Sequence, residues 1–156
     1  MGEASRDAKI AQRIADLAGK DTTVGVAESL TSGALASALG AAPNASEWFC
    51  GAVVAYSERV KFDVLGVTPG PVITADCARE MAEGALRLLG CDVVAAVTGA
   101  GGPGPQEGKA AGTVHLAHGR TGQVQVDELH FDGEPAEVVQ QTVTAALTVI
   151  AEALAR

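Results

Sequence analysis

The chain has 156 residues, 47% of them hydrophobic, enough for one domain with its own core and too few for a second; residues 1–156 are read as that single domain. Nineteen acidic against 11 basic side chains give a formal charge of −8, which repels phosphate backbones and anionic lipid and makes nucleic acid a poor partner. Aromatic residues make up only 3%, so base-stacking platforms have almost nothing to be built from.

The chain opens Met1-Gly2-Glu3-Ala4-Ser5-Arg6 with no apolar leader, and Arg6 stands where a myristoylation signal wants Ser or Thr. A cytoplasmic location is expected, with no apolar run long enough to span a bilayer. From residue 6 to 18, Ile10, Ile14 and Leu17 recur at helical spacing and Gly19 supplies a stop. Thr22 to Ala27 reads as a strand, followed through Glu28-Ser29-Leu30-Thr31-Ser32-Gly33 by an Ala/Leu helix from Ala34 to Leu39. Gly51 to Tyr56 reads as a second strand, after which Ser57 can cap a short helix carrying Val60, Val64 and Leu65. Pro69-Gly70-Pro71 breaks the chain before a helix from Thr74 to Leu89, closed by Gly90.

Val93 to Val97 is continuously apolar, as suits a central strand covered on both faces. Thr113 to Ala117 and Val124 to Phe131 read as strands of an antiparallel hairpin near one edge, joined by His118-Gly119-Arg120-Thr121-Gly122. A last helix from Pro135 to Ala155 repeats Val139, Val143, Ala146, Ile150 and Leu154, with Pro135 at a favoured first position. The expected fold is α/β: a three-layer α/β/α sandwich with a mixed, mostly parallel sheet of about five strands.

Thr98-Gly99-Ala100-Gly101-Gly102-Pro103-Gly104 contains G-x-G-x-x-G after a strand. The dinucleotide-binding motif needs a helix to start inside the glycines, whereas Pro105, Gly108 and Gly112 intervene and a strand follows. Gly108-Lys109-Ala110 likewise lacks the hydroxyl residue of a P-loop. What remains is an irregular loop at the carboxyl end of a central strand, either a ligand wall or a simple connection.

Ser29, Thr31 and Ser32 stand at a strand-to-helix turn, where a hydroxyl either caps the helix or meets free N–H groups able to hold an anion. Tyr56 and Lys61 occupy the comparable place after the next strand. In the first turns of a helix and partly buried, Lys61 is expected to have a depressed pKa suited to a base. His115 and His118 are three apart in a strand and so face opposite ways, and together with His130 they read as surface or edge-strand residues. Cys50, Cys77 and Cys91 read as core thiols; their number and spacing indicate neither a disulfide framework nor a zinc site.

Three segments taken together, Val26-Ala27-Glu28-Ser29-Leu30-Thr31-Ser32-Gly33, Gly51 to Tyr56 with Lys61 and Leu65-Gly66-Val67, and Thr98-Gly99 through Gly102-Pro103 to Gly112-Thr113-Val114, resemble the nicotinamide mononucleotide (NMN) deamidases, the CinA C-terminal domain family. The resemblance runs over nearly the whole chain. It implies hydrolysis of the NMN carboxamide to nicotinate mononucleotide and ammonia, without metal or cofactor. It assigns Ser29 and Lys61 as a catalytic dyad, with Tyr56 as an assisting hydroxyl. Neutral Lys61 takes the Ser29 proton, Ser29 attacks, N–H groups of the turn and glycine loop hold the oxyanion, and water releases the acid. Thr31, Ser32, Gly33, Thr98 and Gly99 are the expected substrate contacts, and Ser46 the runner-up hydroxyl. The implied partners are a small nucleotide and further copies of the chain, as a homodimer or larger. A ligand-binding or protein-interaction module without turnover is the alternative.

The chain departs from the family pattern at several points. Leu30 and Ser32 replace a Cys and a Gly, and the glycine loop is about one residue shorter. Pro135 and Val139 stand where relatives commonly carry arginines that could meet a phosphate. Either Arg120, Lys109 or backbone N–H groups substitute, or NMN binds weakly, or the substrate differs.

Overall fold

The computed structural model describes residues 5–156; the reading of Met1 to Ala4 as free of leader and lipid signals lies outside them. The Ser5 hydroxyl accepts the Ala8 N–H and starts α1 (Arg6–Ala18), which Gly19 ends at φ 57°. There follow β1 (Val24–Glu28), α2 (Ala34–Gly40), α3 (Ala45–Trp48), β2 (Phe49–Val54), α4 (Glu58–Asp63) and α5 (Ala75–Leu89). The chain then runs through β3 (Val93–Gly99), β4 (Thr113–Arg120), β5 (Gln123–His130) and α6 (Pro135–Ala155).

The sheet order is β2-β1-β3-β4-β5. β1 pairs in parallel with β2 and β3, while β4 lies antiparallel to β3 and β5. Four strands therefore point one way and only β4 is reversed, in the three-layer architecture expected. Alternate side chains of the sheet feed two cores. Val24, Val26, Val97 and Leu116 pack with residues of α1, α2 and α6, including Ile14, Leu35 and Leu147. Ala27, Ala96 and Ala117 pack on the other side with Met81 and Ala82 of α5 and with Leu65 and Val67. The central place of β3 follows from its apolar run, since Val93 to Val97 are all fully buried.

Several expectations are corrected. β2 begins at Phe49 and stops at Val54, so Tyr56 lies beyond the strand. The hairpin connection is only Thr121-Gly122, because His118 to Arg120 continue the ladder opposite Gln125 to Gln123. β4 is an interior strand, and His115 and His118 are consequently buried, not at the surface. His118 Nε2 lies 2.9 Å from the Asp127 carboxylate, and exposed His130 has Glu128 at 3.4 Å. Cys77 and Cys91 are buried, but Cys50 is exposed on edge strand β2. Contrary to expectation, α6 is long and apolar enough by composition to pass for a membrane span; its Val138, Val143, Leu147 and Ile150 are buried in the core against the sheet.

Candidate functional site

The parallel strands finish level with one another: Glu28 at the end of β1 is in register with Val54 of β2 and Val97 of β3. A cavity of about 550 Å³ opens beyond these ends, the place where ligands collect in α/β sheets. Ser29 and Leu30 line it from the turn after β1, and Tyr56, Glu58 and Lys61 from the segment after β2. Thr98 and the glycine loop, with Gln106 and Glu107, form a further wall. Pro135 and Val139, at the start of α6, also line it.

The turn after β1 is built by a residue that local sequence rules pass over. Glu28 is fully buried. Its carboxylate accepts the Thr31 hydroxyl at 2.6 Å and the N–H groups of Gly33, Leu35 and Ala36 at 3.1, 3.0 and 2.9 Å. It is the cap of α2, and Ser32 and Gly33, both at positive φ, fold the chain back over it. Ser29 is left at 8% exposure on the cavity. Among the described residues its hydroxyl has no hydrogen-bond partner.

Lys61 is positioned by an extension of the same sheet. The Ala55 N–H donates to the Glu28 carbonyl at 2.7 Å. Ser57 then caps α4, as expected, by accepting the Val60 N–H. The helix returns Lys61 beneath the chain that preceded it. Lys61 is only 2% exposed, and Nζ donates to the carbonyls of Ala55 at 2.8 Å and Tyr56 at 3.2 Å. Burial lowers its pKa from the ordinary 10.5, against the opposing pull of Cys77, Glu58 and Glu107. Lys61 falls in the last turn of α4, so the positive end of the helix is not the cause. A neutral amine has two N–H bonds and one lone pair. In that form the two carbonyls accept both N–H bonds and the lone pair is left for a proton.

The glycine loop is tied at both ends. Ala100 N–H donates to Thr113 at 2.9 Å and Gly112 N–H to Ala100 at 2.7 Å. Gly99 is required by packing, since a Cβ there would meet the Thr113 carbonyl oxygen at 2.5 Å. Glu107 accepts the N–H groups of Val72, at 3.0 Å, and Ile73, at 2.7 Å, and the Thr98 hydroxyl donates to the Val72 carbonyl at 2.7 Å. Glu107 and Thr98 thus fasten the segment before α5 to the cavity wall.

The structure brings Ser29, Tyr56, Lys61, Thr98 and Gly99 to one cavity, Tyr56 at 70% exposure. Thr31, Ser32 and Gly33 do not line it: the Thr31 hydroxyl is spent on Glu28 and Ser32 is exposed. Ser46 is exposed on α3, at the amino end of β2, whereas the cavity lies at the carboxyl end. Arg120 lies beside the start of β3, also at the far end of the sheet. Glu28 and Glu107 escape sequence reasoning. The one available signal for Glu107 is an acidic residue in a loop otherwise made mostly of Gly and Pro.

The sequence and the fold have known counterparts. A competence-damage inducible protein of Desulforamulus reducens is 38% identical over 150 residues, covering 92% of this chain and 36% of the relative. A Lacticaseibacillus casei protein of the same name is 36% identical, covering 88% of this chain and 35% of the relative. The chain therefore spans about a third of the length of these curated relatives. A CinA superfamily protein of Klebsiella pneumoniae superposes with a TM-score of 0.92 at 32% identity, covering 97% of this chain and 99% of the other. The competence/damage inducible protein CihA of Agrobacterium tumefaciens gives 0.89 at 31% identity, with full coverage of both. The CinA C-terminal domain matches residues 7–154, and the chain belongs to that family.

Proposed function

We propose that the chain is a Ser–Lys amidohydrolase that cleaves the carboxamide of a small pyridine substrate in the cytoplasm, nicotinamide mononucleotide in the reading its family resemblance implies. The observation that carries it is Lys61: an amine 2% exposed, held by two carbonyls, in the cavity that exposes the Ser29 hydroxyl. Lys61 Nζ takes the Ser29 proton as Oγ bonds to the amide carbon. The N–H groups of Leu30, Gly101 and Gly102 donate to no described group, and their residues line the cavity; they are the donors for the oxyanion. The C–N bond breaks, ammonia leaves with the proton from Lys61, and an acyl-serine remains. Water attacks the ester, gives its proton to Lys61, and Oγ recovers that proton as the acid departs.

Ammonia release tests this reading. Ser29→Ala and Lys61→Ala are each expected to lose about 10³-fold or more in kcat/KM, and full activity in both overturns it. A binding module without turnover is the second reading. It draws on the fact that Lys61 Nζ bonds to main-chain carbonyls and not to Ser29; ammonia release by the wild-type protein excludes it.

A further inference from the structure

Residues 69–73 lie between α4 and α5, and Val72 and Ile73 line the cavity. Among the described residues no main-chain hydrogen bond holds this segment. Its ties are to two side chains. Glu107 Oε1 accepts both the Val72 N–H at 3.1 Å and the Ile73 N–H at 2.7 Å, and the Thr98 hydroxyl donates to the Val72 carbonyl at 2.7 Å. Val72 packs on the core group that contains Cys77, Leu65 and Ala55, whose carbonyl holds the Lys61 amine.

A turn of uncommon conformation delivers Glu107 to this place. Gln106 and Lys109 exchange both main-chain hydrogen bonds, at 3.0 and 2.8 Å, and enclose Glu107 and Gly108 at φ 53° and 72°. Two consecutive residues at positive φ make a tight hairpin turn that favours Asn and Gly, and a glutamate adopts that backbone only at a cost. What the turn presents is a carboxylate bound to two N–H groups on a distant segment.

Facing Lys61 are Cys77 of α5, Glu58 of its own helix and Glu107 of the glycine loop, and Tyr56 lines the same cavity. Burial is the strongest influence on the amine and lowers its pKa, whereas the Glu107 charge is the weakest of the three that raise it.

We infer that Glu107 is a positioning residue for the Lys61 amine, its carboxylate pinning Val72 and Ile73 along the cavity so that water is kept from the amine. The inference rests on the amidohydrolase reading, in which Lys61 is the base, and adds a residue that acts through it. Glu107 therefore has two opposed effects on Lys61: the pin keeps the amine dry, and the charge favours its protonated form.

Substitution separates them. The chain has four lysines, Lys9, Lys20, Lys61 and Lys109, so the Cε signal of Lys61 can be followed by NMR through a pH titration of ¹³C-lysine-labelled protein and assigned by its loss in Lys61→Arg. Glu107→Gln keeps an oxygen for both N–H groups and removes the charge, so the Lys61 midpoint is expected to fall. Glu107→Ala opens the segment to water, and because burial outweighs the charge the midpoint is expected to rise toward 10.5. Thr98→Val cuts the other tie without a change of charge and is expected to raise it as well. In ammonia release the rising limb of kcat/KM should follow these shifts, with Glu107→Ala losing on the order of 10²-fold and Glu107→Gln restoring most of that loss. A midpoint left unmoved or lowered by both Glu107→Ala and Thr98→Val overturns the inference, and leaves the hydrolase intact where the wild type releases ammonia; if Glu107→Ala does not fold, Thr98→Val decides. The expected shifts in a wild-type protein that releases no ammonia sustain the positioning of the amine and refute the hydrolase.

Discussion

The Glu28 carboxylate accepts the Thr31 hydroxyl at 2.6 Å and, through the same oxygen, the Gly33 N–H. One buried anion thus fixes both the turn that presents Ser29 and the first turn of α2. Removing it strands three helix N–H groups and a hydroxyl out of water. Glu28→Ala is expected to cost about 3–5 kcal/mol in urea denaturation. Glu28→Gln keeps one acceptor oxygen and should cost about half as much. A loss below about 1 kcal/mol for Glu28→Ala would show that the cap is dispensable.

Thr31 separates scaffold from site. Its hydroxyl is committed to Glu28 and its residue does not line the cavity. Thr31→Val is expected to lower stability by about 1–2 kcal/mol, with the KM of any turned-over amide changed less than about twofold. A large rise in KM at unchanged stability contradicts this and returns Thr31 to the substrate.

These two residues also mark where the sequence was legible. β3 announces itself because five consecutive apolar residues in a strand need cover on both faces, and α6 because its apolar stripe persists for five turns. Ser29, Tyr56 and Lys61 fall near one another because turns follow the ends of adjacent parallel strands. Capping rules look at the residue just before a helix, and Glu28 stands well ahead of Gly33 with a strand identity of its own. The Glu107 contacts to Val72 and Ile73 join residues more than thirty positions apart, which no local pattern encodes. The burial of His115 and His118 is not legible locally, because hairpin strands are commonly half-exposed, whereas β5 and the helices cover β4.

The lowered pKa of Lys61 gives a pH dependence with a definite sign. In the proposed mechanism the neutral amine is the base, so log kcat/KM should climb with pH at about tenfold per unit and level off below the ordinary lysine value of 10.5. Lys61→Arg, which cannot deprotonate, should be inactive throughout. For stability, the unfolded chain holds more protons than the folded chain between the lowered pKa and 10.5. Stability attributable to Lys61 therefore rises with pH across that window and is flat below it. An activity profile flat from neutral pH upward, with Lys61→Arg still active, removes Lys61 as the base.

The cysteines should divide sharply in reactivity. Burial pushes the Cys77 and Cys91 thiols up to about 11, whereas Cys50 is exposed. Only the thiolate reacts. Iodoacetamide at pH 8 should label Cys50 alone in the folded chain, and all three cysteines after denaturation. Mass spectrometry of folded Cys50→Ser should then show no adduct; rapid labelling of Cys77 would mean that α5 opens beside Lys61.

Gly84 lies within α5, where helix propensity alone favours alanine by about 0.5–1 kcal/mol. Packing opposes it. A Cβ at Gly84 would collide with the carbonyl oxygen of Leu65 and crowd the Leu65 Cα at 2.9 Å. That backbone cannot swing aside cheaply, since the neighbouring Val67 N–H donates to the Lys61 carbonyl at 3.0 Å. Overpacking against main chain costs about 1–3 kcal/mol or more, so the clash outweighs propensity. Gly84→Ala is expected to destabilise the domain by about 1–2 kcal/mol net. The displaced 65–67 segment also shifts Lys61, so kcat should fall more than KM rises. An alanine variant as stable as the wild type, or more so, would show that α5 can slide away from Leu65 without disturbing Lys61.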